Sequence, residues 1–141
     1  MRRARAALLV LAALLCAGCG AKAPDHPEEL KIQVMKFLRE VELKDYDGAA
    51  SRIHPTKRAA FVGWITNDAE KVHFTNSQIR VLPTEDELDK MPEDKPKKAN
   101  VIVSLEYFRL PSTEVKKEVR TQVWLFDEDY ERWYLLEGWE P

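Results

Sequence analysis

Cysteine is scarce in this chain: of 141 residues two are Cys, and both, Cys16 and Cys19, fall within the first twenty. Beyond Cys19 there is no thiol, which excludes internal disulfides, thiol catalysis and cysteine-ligated zinc in everything that follows. Five glycines are scattered without a phosphate-cradling loop, three histidines occur without a His-Glu-x-x-His pattern, and no serine sits in a nucleophile elbow. No metal, nucleotide or other cofactor is therefore expected. A basic surplus is missing too, with 22 basic against 24 acidic side chains. No internal repeat occurs, and after Leu15 no apolar run is long enough to cross a bilayer.

The one apolar run that is present lies at the start. Arg2, Arg3 and Arg5 precede Ala6 to Leu15, and small residues follow. A basic start, a short apolar centre and a small-residue exit are the layout of a secretory signal peptide. Ala17-Gly18-Cys19 resembles the lipobox of bacterial lipoproteins. The resemblance implies cleavage before Cys19, modification of its thiol and amino group with palmitate-class acyl chains, and an extracytoplasmic domain held at the membrane. Cys16 is the rival acceptor, but the bulky Leu15 before it suits a lipoprotein signal peptidase less well than Gly18 does. An ordinary cleaved signal or an uncleaved anchor would begin in the same way. Two or more acyl chains anchor stably where one does not. Gly20, rather than Asp, after the cysteine implies the outer membrane if the cell has two. Three of the 22 basic side chains leave with the signal, so 19 face 24 acidic ones and the net charge becomes about -5. That balance argues against nucleic acid or anionic lipid as a bulk-charge partner.

Residues 1–18 are thus read as signal peptide, 19–28 as lipidated cysteine and tether, and 29–141 as one domain. Asp25 or His26 caps a helix with Pro27 in its first turn, and Leu30, Val34, Phe37, Leu38 and Val41 form its apolar stripe. A shorter helix runs from Tyr46 to Ile53, capped by Asp45 and stopped by Pro55. Ala60 to Ile65 is helical or irregular. The period then changes to two: Ser77 to Leu82, Asn100 to Leu110, Val115 to Leu125 and Trp133 to Trp139 read as strands. Thr84 and Glu87 form a capping box for a short helix between the first two. Helices first and strands after predict an α+β fold, with N-terminal helices packed on a curved antiparallel sheet of about four strands.

This order, with Asp45-Tyr46-Asp47-Gly48 through Ile53-His54-Pro55 and the closing Trp133-Tyr134 to Trp139 strand, resembles the cystatin-like cone of nuclear-transport-factor-like domains. The resemblance implies a ligand position at the open end of the cone, and activities that range from isomerases and dehydratases to binding modules without chemistry. His54 is the one candidate base, with Asp45 or Asp47 as its acid; capping or packing before Pro55 is the favoured reading of the same residue. His73 reads as a surface or strand-edge residue, and His26 as solvent-exposed in the tether. Asp127-Glu128-Asp129 with Glu131 lacks the spacing of a calcium loop and reads as a solvated hairpin turn. Trp124, with Arg120 and Gln122, alternates with Val119 and Val123 and is either an exposed partner-binding patch or buried beneath a helix. The expected function is a membrane-anchored, non-enzymatic interaction module for a protein partner, a second copy through the sheet face, or a small apolar ligand. An enzyme using His54 is the first alternative to it, and a structural envelope protein the second.

Overall fold

The computed structural model describes residues 23–140; the signal peptide, Cys19 and the first tether residues, 20–22, lie outside the described residues. The first helix, α1, spans Pro27–Glu42. His26 Nδ1 accepts from the Glu28 amide at 3.3 Å, and Glu28 and Glu29 lie at the positive end of the helix dipole. His26 is therefore a helix cap, half-buried and 3.3 Å from Glu85, rather than a tether residue in open solvent. The fold also starts before residue 29: Pro27 and Glu28 are helical, and Asp25 pairs with Lys97 at 2.5 Å. The stripe Leu30, Val34, Phe37, Leu38 and Val41 is buried as the spacing requires.

Lys44 turns the chain in the left-handed region, at φ 58°. Asp45 then caps α2, Tyr46–Ser51, by accepting from the Gly48 amide at 3.1 Å. A 3-10 turn at Pro55–Lys57 leads into α3, Arg58–Asn67, which buries Phe61 and Trp64. Strand β1 covers Val72–Val81, so it begins five residues before the expected Ser77. Register shifts between Phe74 and Asn76 and between Ile79 and Val81 interrupt its alternation, which is why periodicity alone shortens it. The capping box forms: the Glu87 amide donates to Thr84 Oγ1 and the Thr84 amide to Glu87 Oε2, opening α4 at Glu85–Asp89. The remaining strands are β2 Lys98–Arg109, β3 Lys116–Asp127 and β4 Arg132–Glu137.

The four strands form one antiparallel sheet in chain order, and α1 to α3 pack on one of its faces, an α+β fold. The core lies between them. Phe37 of α1 meets Phe61 at 6.1 Å and Trp124 of β3 at 6.2 Å, and Phe61 meets Trp64 and Trp139 at 5.6 and 6.1 Å. Burying side chains of this size stabilises the fold by about 1.5–3 kcal/mol each. Trp139 lies beyond the last strand but is carried into the core by Gly138, whose φ of +90° and approach to the Thr121 carbonyl leave no room for a Cβ.

The two edges of the sheet differ. At the β4 edge the chain from Arg52 to His54 runs alongside in parallel: the His54 amide donates to the Leu135 carbonyl, and the Leu135 amide to the Arg52 carbonyl, both at 2.8 Å. Arg52 is itself fixed by two 2.6 Å contacts to the Glu40 carboxylate and one to Gln33 Oε1, which tie it to α1. Among the described residues no strand pairs with the outer edge of β1.

Candidate functional site

Strand alternation sets the two faces of the sheet. Val103 of β2 stands opposite Arg120, Ala99 opposite Trp124, and Leu125 opposite Tyr134. Val101, Val103 and Leu105 are buried beneath the helices, and Glu118, Arg120, Gln122, Trp124 and Phe126 share their face. Trp124 is fully buried and donates from Nε1 to Gln122 Oε1 at 3.1 Å, so Gln122 is the buried polar partner that the indole requires. Arg120, half-buried, grips Glu118 through Nε and Nη2 at 3.2 and 2.5 Å, and Tyr107 donates its hydroxyl to the same carboxylate at 3.1 Å. The Arg120 hydrogen bond holds the Glu118 carboxyl below its usual range, and burial, reinforced by Glu118, raises the Tyr107 hydroxyl.

These positions correct the exposed-patch reading of Trp124, Arg120 and Gln122. All three belong to the helix-facing side. The alternation holds, and of the two readings it is burial beneath a helix that the structure bears out: on β3 the core takes the aromatic series and leaves Val119 and Val123 outside. Large rings reach the facing Phe37, which a Val at the same position could not. On the outer face stand Val119 at 66 % exposure and Val81 at 51 %, with Ile102, Val123 and Leu125 half-buried beside them. His73 faces outward as well, stacked on Phe108 at 4.9 Å.

The enzyme reading places His54 in the cone between sheet and helices; the structure sets it at the β4 edge, half-buried and away from the packed interior, and without the acids that reading pairs with it. Its Nδ1 is 2.8 Å from Thr56 Oγ1, its ring meets the edge of Tyr134 at 6.0 Å, and it caps the 3-10 turn. Asp45 is engaged at the start of α2, and Asp47 is exposed in the first turn of that helix. The structure sets other acids near His54. A cleft of about 400 Å³ is lined by His54, Glu93, Asp94, Asp127, Glu128 and Asp129. Nothing in the local sequence signals this grouping, because two loops far apart in the chain create it. Asp127 Oδ1 accepts from the amides of Asp129 and Tyr130, the self-closing turn expected of this stretch. Among the described residues no three His, Cys, Asp or Glu side chains converge to hold a metal ion.

Between α1 and the sheet, the void lined by Phe37, Leu38, Val41, Phe74, Leu105 and Trp139 measures about 10 Å³, scarcely room for one water. The helix-facing interior there is packed rather than chambered.

No family model and no curated protein matches the sequence. Among solved structures, the chain is similar to a SEC-C motif containing protein from Rhodopseudomonas palustris, solved in solution. The TM-score is 0.56 at 16 % identity, over 83 % of this chain and 80 % of that one. At that identity the likeness is one of fold.

Proposed function

We propose that this chain is a bacterial envelope lipoprotein, acylated at Cys19, whose domain is a non-enzymatic interaction module on the extracytoplasmic side of the membrane. The observation that carries the interaction reading is the outer sheet face, where Val81, Ile102, Val119, Val123 and Leu125 form an apolar patch without a helix over its centre. Sheets that need cover on one face only put polar residues on the other. Exposed apolar side chains interleaved with Thr121, Asn100 and Lys98, the cross-strand partners of Ile102, Val123 and Leu125, are instead the mixed composition of a protein-binding surface. The packed interior beneath α1 favours a protein partner over a small apolar ligand. The enzyme alternative pairs His54 with Asp45 or Asp47, and neither serves it; among the described residues its ring nitrogen is engaged by Thr56 and none of the acids lining its cleft is bonded to it.

The test is crosslinking in intact cells of the tagged full-length protein, comparing wild type with Val119→Lys and Cys19→Ser. A specific protein captured through outer-face positions, and lost in Val119→Lys while the domain stays folded, is the expected result. Capture that is unchanged by Val119→Lys overturns the outer-face assignment. Cys19→Ser should abolish incorporation of a palmitate analogue and release the domain from the membrane fraction; retention with labelling intact refutes the anchor.

A further inference from the structure

The tether and the apolar part of the outer face meet at one end of the domain. Asp25 pairs with Lys97, just before β2, and His26 reaches Glu85, just past β1, so the chain enters the fold where β1 and β3 end and β2 and β4 begin. Asp25 is the sixth residue after Cys19. Whatever path it takes, a chain of that length spans at most about 22 Å. The 12 residues of β2 extend for about 40 Å, so the tether is only about half as long as the sheet that it holds. The apolar side chains of the outer face crowd towards the same end. From the tether outwards, successive rungs present Leu125, Val123, Ile102 beside Val81, and Val119. Beyond them the face turns polar: Asn76 stands opposite Glu106, which pairs with Lys117 at 3.0 Å. A groove of about 430 Å³ beside α4, walled by Val81, Leu82, Pro83, Met91 and Ile102, deepens the patch on the tether side.

We infer that the outer face takes a different protein held in the same membrane, seated on the tether-proximal half of the sheet. This rests on the acylation of Cys19 and on the outer face as the binding surface, as proposed above. Val119, the farthest member of the patch, stands opposite Ser104, seven residues along from Lys97. At full stretch the whole patch therefore stays within a distance on the order of 60 Å from Cys19. A surface confined to so shallow a layer meets partners confined to the same layer at a raised effective concentration, with no further contact needed. A partner fixed farther out would meet the distal half first, and that half is polar. The charge at the tether end selects against a second copy. Residues 25–29, 84–98 and 127–132, which form that end, hold thirteen acidic side chains and five basic ones. Two copies on one membrane would set these ends side by side, where like charges repel. A partner with basic side chains on its membrane-proximal rim complements them instead.

The experiment is photocrosslinking in intact cells of the full-length, acylated chain, with the crosslinking side chain in place of Thr121 on the proximal half or of Lys117 on the distal half. Thr121 should give an adduct to a different protein that Lys117 does not give. That protein should remain in the membrane fraction of cells lacking this chain. Lengthening the tether by about twenty Gly and Ser residues between Lys22 and Ala23 should lower the adduct about two- to tenfold, because effective concentration falls with tether length. Labelling of Cys19 by a palmitate analogue and loss of capture in Val119→Lys report the underlying reading in the same cells, so its failure is seen separately. With both in place, four results overturn the inference: a captured protein that is soluble in cells without this chain, an adduct to a second copy, a Lys117 yield equal to that of Thr121, or capture that the longer tether leaves unchanged or raises.

Discussion

Both faces of the sheet carry apolar side chains, the helix-facing one more of them and larger ones. The helix-facing side holds Trp124, Phe126, Trp133 and Leu135 against Phe37 and Phe61, while the outer side holds Ile102, Val119, Val123 and Leu125. Hydrophobicity alone does not tell them apart. On β3 ring size separates them, Trp124 and Phe126 reaching the helix layer while Val119 and Val123 stay outside, whereas on β2 the buried side is itself made of Val101, Val103 and Leu105. Polar residues are no guide either. Gln122 lies on the buried side because an indole beside it needs an acceptor, and Glu118 and Arg120 share that side because they neutralise each other.

If the inner face is the core, Trp124→Ala should destabilise the domain by about 3–5 kcal/mol, the cost of a large cavity. Equilibrium denaturation checks this, and a change within about 0.5 kcal/mol, the range of an ordinary surface position, would reverse the assignment of faces. Gln122→Leu leaves the Trp124 N–H buried without an acceptor and should cost about 1–3 kcal/mol; adding Trp124→Phe, which removes the donor, should return part of that loss.

A pH titration sharpens the same contrast. Glu118 has a depressed folded-state pKa, so its contribution to stability is present above its ordinary value of 4.5 and is lost as the pH falls through the lower folded value. Glu87, held low by the Thr84 amide, has the same sign. Glu118→Gln should therefore flatten the fall in stability below pH 4.5 without abolishing it, read from denaturation midpoints across that range. The smallest effect belongs to the outer face: Val119→Thr should change stability by no more than about 0.5 kcal/mol.

The architecture is legible in the sequence where a local rule decides it. The α1 stripe, the caps at Asp45 and Thr84, and the change of period after Asn67 each rest on neighbours within one or two turns. β1 reads shorter than it is because its bulges break a pattern that only pairing with β2 restores. The side of the sheet that meets the helices is not legible, since alternation divides a strand into two faces without saying which is covered. The same holds for the surroundings of His54: its acidic neighbours arrive from loops about 40 and 75 residues further along the chain, and no spacing rule operates over such a range.

The strip from Arg52 to His54 also bears on the order of folding. Ile53 bridges to Leu135, 82 positions later, and the hydrogen bonds on either side of that bridge join the helix layer to the last strand. Loop-closure entropy must be met before such a contact contributes. The α1 stripe can become helical early, but the β4 edge cannot be closed until β4 itself exists. A chain cut short before Arg132 would lack Trp133, Leu135 and Trp139 from the one core cluster, so cooperative folding of this domain waits for its final strand.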